Sequence, residues 1–101
     1  MRRLCAISLV LVLWGAGRPA LAFSCEVAAD QKSLTLRADN PADTEKTCGV
    51  TCEVETVDGA FGTVMCSGVV VPAGAKGYEL CTKTRDEPFY KSAKLTESGC
   101  E

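Results

Sequence analysis

The chain has 101 residues, 11 basic and 13 acidic, with a formal net charge of −2 and no histidine. That length holds one small domain, and the acidic balance argues against nucleic acid and anionic lipid as partners. The missing imidazole removes the commonest general base and the commonest metal ligand together.

Residues 1–22 read as a cleaved secretory signal. Arg2 and Arg3 make a positive n-region, Leu4 to Trp14 a short apolar run, and Gly15, Gly17 and Pro19 break it. Ala20-Leu21-Ala22 then fits the small-x-small rule for a signal peptidase. A lipidated Cys25 fits less well, because Phe23 stands where a small residue is wanted. Removing 22 residues leaves a domain of 79, spanning 23–101. Cys5 departs with the leader, so seven cysteines become an even six: Cys25, Cys48, Cys52, Cys66, Cys81 and Cys100. Three basic residues depart too, so 8 remain against 13 acidic ones, a net charge of −5. An even set of cysteines in an exported chain predicts a disulfide framework and a secreted or periplasmic location. No later apolar run reaches membrane-spanning length, so no membrane insertion is expected after cleavage.

The domain then reads as about six short strands. The first lies around Cys25 and Val27 and ends at Ala29-Asp30-Gln31-Lys32. Leu34 and Leu36 alternate with Ser33, Thr35 and Arg37, and Asn40-Pro41 stops the run, since proline cannot donate to a ladder. Val50, Cys52 and Val54 alternate with Thr51, Glu53 and Glu55; Asp58-Gly59 follows as a hairpin turn, and Val64 and Cys66 continue the pattern beyond it. Tyr78 and Leu80 mark a fifth strand, between the turns at Pro72-Ala73-Gly74-Ala75 and Arg85-Asp86-Glu87-Pro88. In the last segment Phe89, Ala93 and Leu95 fit a helix no better than a strand. The fold class is all-β: a small disulfide-stapled antiparallel β-sandwich. Val27, Leu34, Leu36, Val50, Val54, Val64, Tyr78 and Leu80 form its expected core. An immunoglobulin-like arrangement is one form it can take, at the level of fold alone, for the domain has no Trp and no Cys…Trp…Cys spacing.

Reflecting the hairpin about Gly59 sets Cys52 opposite Cys66 and Val54 opposite Val64. Facing Cβ atoms lie about 4.5–5.5 Å apart, which favours a Cys52–Cys66 bridge. Cys25–Cys48 and Cys81–Cys100 then close the shortest remaining loops.

Few residues carry candidate chemistry. Glu53 and Glu55 share a strand face and read as a solvated surface. Asp39, Asn40, Asp43 and Glu45 crowd one loop and could hold calcium, although Asx residues before proline are ordinary turn chemistry. Asp58-Gly59-Ala60-Phe61-Gly62 lacks the strand-to-helix setting of a ligand loop. The cysteine spacings do not suit zinc. No catalytic residue, metal or cofactor is expected, and the chain is read as a non-enzyme. Phe61, Phe89 and Tyr90 are the aromatics least tied to the alternating core, and with Lys83 and Arg85 they are the candidate contacts for an unidentified protein partner. The leading expectation is an exported, non-catalytic binding or structural protein held by three disulfides. The alternative is a secreted protease or enzyme inhibitor that presents Lys83 and Arg85 on an exposed basic loop.

Overall fold

The computed structural model describes residues 21–101. Apart from Leu21 and Ala22, the leader read from the sequence lies outside them. Six strands run in chain order: β1 Ala22–Val27, β2 Ser33–Asn40, β3 Lys46–Thr56, β4 Phe61–Val71, β5 Ala75–Thr84 and β6 Tyr90–Cys100. They form two antiparallel three-stranded sheets, ordered β1-β2-β5 and β4-β3-β6. The fold is therefore an all-β sandwich of three strands over three, where immunoglobulin constant domains place four over three. The segment left open between helix and strand is β6, which pairs with β3 along most of its 11 residues.

The period-two pattern places the core. Leu34, Leu36 and Ala38 of β2 face Val50, Cys52 and Val54 of β3, and Val71, Leu80 and Tyr90 complete the buried set. Val27 and Val64 pack against that set but are half-buried. Tyr78 departs from the expected core and is 37% exposed. It sits on the edge strand β5, just past a bulge at which Leu80 is the unpaired residue between Cys81 and Glu79. An extra residue bends and twists the strand locally. Leu80 stays buried, while Tyr78 pairs with Ala38 at the sheet margin.

The disulfides are Cys25–Cys52, Cys48–Cys100 and Cys66–Cys81. Neither the Cys52–Cys66 bridge nor the Cys25–Cys48 and Cys81–Cys100 pairs occur. The reason lies in the turn. Gly59 N–H donates to Thr56 O at 2.9 Å and Thr56 N–H to Ala60 O at 2.8 Å, so Val57-Asp58-Gly59 is a three-residue loop. Gly59 holds its left-handed position at φ 90°. The hairpin pivots on Asp58, which sets Cys52 opposite Val64 and Val50 opposite Cys66. A shift of two residues keeps every side chain on its face and changes only its partner. Cys52 and Cys66 thus both point inward, and each reaches the other sheet, Cys52 to β1 and Cys66 to β5. The third bridge lies within a sheet. Thr47 and Glu101 exchange backbone hydrogen bonds of 3.2 and 2.9 Å, which makes the adjoining Cys48 and Cys100 a non-hydrogen-bonded pair, the closer kind. Their Cα atoms are 4.0 Å apart. Three disulfides in so small a β-rich chain are typical of extracellular or periplasmic proteins.

Each end of the sandwich is tied by one polar residue. At one end Asn40, fully buried, has Nδ2 within 3.0–3.2 Å of the Thr44, Val71 and Pro72 carbonyls, and its Oδ1 accepts from Ala42 N at 3.1 Å. This side chain therefore pins two of the three crossovers between the sheets, β2–β3 and β4–β5. At the other end Gln31 adopts φ 62°, and its carbonyl accepts from the amides of Phe89 and Tyr90 at 2.8 and 3.0 Å. That geometry anchors the β5–β6 connection under the β1–β2 turn.

Candidate functional site

The aromatics and cations singled out in the sequence gather at the Gln31 end. Phe61 opens β4 and is 69% exposed, and Met65, two pleats on, is 59% exposed. A cleft of about 730 Å³ opens between the free edges of β4 and β5. Phe61, Val64 and Met65 line one bank, Thr82, Lys83 and Arg85 the other, and Phe89 and Tyr90 the closed end. Just beyond Met65 and Thr82, the Cys66–Cys81 bridge ties the two strands together.

The expected contact residues divide within this site. Phe61 is presented to solvent. Phe89 is half-buried and carries the Arg85 guanidinium 3.8 Å from its ring centroid. A cation over a ring face is held by the ring quadrupole. Tyr90 is only 4% exposed and packs edge-on against Phe89, with centroids 5.0 Å apart. It is a core residue that supports the site from behind Phe89. Lys83 lies inside β5, paired with Leu34, and Arg85 donates its backbone N–H to Lys32 O at 2.8 Å. The two basic residues therefore belong to a strand and a tethered corner, and not to the protruding loop that the inhibitor reading requires. Met65 was missed in the sequence. It alternates with inward-facing Val64 and Cys66, so its outward position was legible, but its place on an unpaired edge depends on the sheet order.

Elsewhere the polar residues are occupied locally. Asp39 Oδ1 accepts from Gly77 N at 2.6 Å, and Asn40 is committed to the crossovers, so two oxygen-bearing side chains of the acidic loop serve turn structure. No group of three or more Cys, Asp or Glu among the described residues is placed to hold a metal ion. Glu55 lies 3.6 Å from Lys91 across the outer face of the β4-β3-β6 sheet. Asp58, at the hairpin tip, is held below its ordinary pKa, first by the Thr56 hydroxyl and then by the Ala60 amide. A fixed ionised carboxylate at a turn organises the loop. No helix among the described residues is long and apolar enough to cross a membrane.

What the arrangement can do is bind. An exposed aromatic, a thioether and an aliphatic side chain line one bank, two cations the other, and a covalent tie fixes the distance between them. Comparison with protein-family models, with curated proteins and with solved structures finds no match to this chain.

Proposed function

We propose that the protein is an exported, non-catalytic binding module that meets a protein partner along the β4/β5 cleft. The observation that carries this reading is Phe61, a large aromatic 69% exposed beside Met65 at the rim of a cleft. Phe and Met side chains are enriched at the cores of protein interfaces relative to the rest of the surface. The chemistry of the chain supports a role without turnover, since it has no histidine and Asp39, Asp58 and Glu55 serve turns and the outer sheet face. The disulfides support work in an oxidising compartment, secreted or periplasmic, where such bridges persist.

The test is capture from the protein's own secretory compartment, with everything retained identified by mass, further copies of the chain included. Wild type and a Phe61→Ser, Met65→Ser variant are compared after both have been shown to melt alike. The reading expects a protein retained by wild type and lost from the variant. Identical retention by both overturns it.

A further inference from the structure

We infer that the occupant of this surface is a second copy of the same chain, joined edge to edge through β4. This rests on the cleft reading above and names the partner. The first observation is charge. Among the described residues four strands lie at sheet edges: β1 carries Glu26, β5 carries Lys76, Glu79 and Lys83, β6 carries Lys91, Lys94 and Glu97, and the fourth is β4. The 11 residues of β4, Phe-Gly-Thr-Val-Met-Cys-Ser-Gly-Val-Val-Val, include no charge and no proline. Native sheets guard unpaired edges with these very residues, so a long unguarded edge is a pairing surface.

The second observation is backbone parity. Thr56 N–H donates to Ala60 O, which makes that couple hydrogen-bonded. Alternation along the hairpin then makes Phe61, Thr63 and Met65 non-hydrogen-bonded with respect to β3. Their N–H and C=O groups point away from β3, toward the open edge, and among the described residues β4 pairs with no strand but β3. An antiparallel pairing of two β4 strands centred on Thr63 uses only these groups. Thr63 meets Thr63 of the second copy, and Phe61 meets its Met65, twice over by symmetry.

The side chains suit that register. Phe61, Thr63 and Met65 share the outer face, so each Phe61 ring lies beside a Met65 thioether, a favourable sulfur–aromatic contact. On the inner face Gly62 falls opposite Val64 of the second copy, a vacancy against a branched side chain. The incoming strand covers the cleft, whose rim already includes Gly62 and Val64. Gly68, at φ 67°, sits in the bulge that ends the flat stretch of β4. The contact uses the same patch on both copies and leaves only charged edges outside, so it closes at two.

Sedimentation velocity of the purified disulfide-bonded protein tests this. Wild type should shift from monomer to dimer with rising concentration. Thr63→Lys places two like charges across the two-fold and should remain monomeric at every concentration. The introduced ammonium would lie opposite Glu53 within its own chain, where Thr63 now pairs, so the fold should tolerate it. Ser92→Lys, on β6, changes the net charge equally and should dimerise like wild type. If Thr63→Lys fails to fold, trapping decides. A Thr63→Cys chain should form an intermolecular disulfide on mild oxidation, because paired Cα atoms about 5.5 Å apart suit that bond, whereas Phe61→Cys alone should not. A wild-type protein monomeric at millimolar concentration, a dimer indifferent to Thr63→Lys, or no crosslink at position 63 overturns the proposal. In any of these cases, a partner still lost from the Phe61, Met65 variant would leave the binding reading standing with a different occupant.

Discussion

Asn40 is the side chain on which the β2–β3 and β4–β5 crossovers depend, and its removal can be costed. Asn40→Ala deletes two Nδ2 hydrogens shared among three carbonyls and the Oδ1 that accepts from Ala42 N. Thr44 and Pro72 are exposed residues whose carbonyls can turn to water, but Val71 is fully buried. The Val71 carbonyl keeps only its ladder partner Lys46 across the β3–β4 pair. Hydrogen bonds contribute about 1 kcal/mol each net, and the side chain supplies two donor hydrogens and one acceptor, so a loss of roughly 3 kcal/mol is expected. For a domain of this size that lowers Tm by about 12–24 °C. Thermal and urea unfolding with the disulfides intact measure it. Asn40→Asp adds a sign. Its carboxylate would face carbonyl oxygens in a buried site, so its folded pKa is raised above the unfolded value of about 3.9. The protonated form is then the one the fold accepts. The Asp variant should be most stable at acid pH and lose stability as pH rises from the unfolded pKa toward the folded one. An Asn40→Ala protein within about 0.5 kcal/mol of wild type, the range of ordinary surface changes, refutes the anchoring argument.

Deleting the disulfides one at a time, with Ala at both positions, should rank them by loop length. Separations of 52, 27 and 15 residues predict losses of about 4, 3.5 and 3 kcal/mol for Cys48–Cys100, Cys25–Cys52 and Cys66–Cys81 in the chain-entropy picture; urea midpoints in the inverse order count against it. Thr56→Val should return the Asp58 pKa upward toward the ordinary carboxylate value, as followed by NMR titration. Because the folded pKa is depressed, whatever stability this hydrogen bond confers is present above the ordinary value and lost as pH falls through the folded one. An Asp58 titration unchanged by the substitution removes Thr56 as the cause.

How much was legible in the sequence follows the reach of each signal. Alternation is local, so the strands and most of the inward set, Leu34, Leu36, Val50, Val54 and Leu80, could be read directly. Tyr78 could not, because a bulge in β5 is invisible to a count of twos. The turn was correctly placed at Asp58-Gly59, but its loop has three residues, and moving the pivot by one position exchanges Cys66 for Val64 opposite Cys52. Facing survived that error and pairing did not. The bridges themselves were out of reach, since two of them join different sheets and no spacing reports which sheets face each other. For the same reason Phe61 could be named as an exposed aromatic, while its neighbourhood with Met65 across from Lys83 and Arg85 could not.

The Cys66–Cys81 bridge has a bearing on recognition that differs from its part in stability. It joins two edge strands that share no ladder, directly behind the cleft they flank. The opening between them is thus a covalent dimension and not an average over loop motions. Anything that docks there meets banks already at their working separation, and the ordering cost that mobile loops charge at the moment of contact has been met during oxidative folding. For a cleft bounded by a few side chains, shape held in advance is how a small contact would become a specific one.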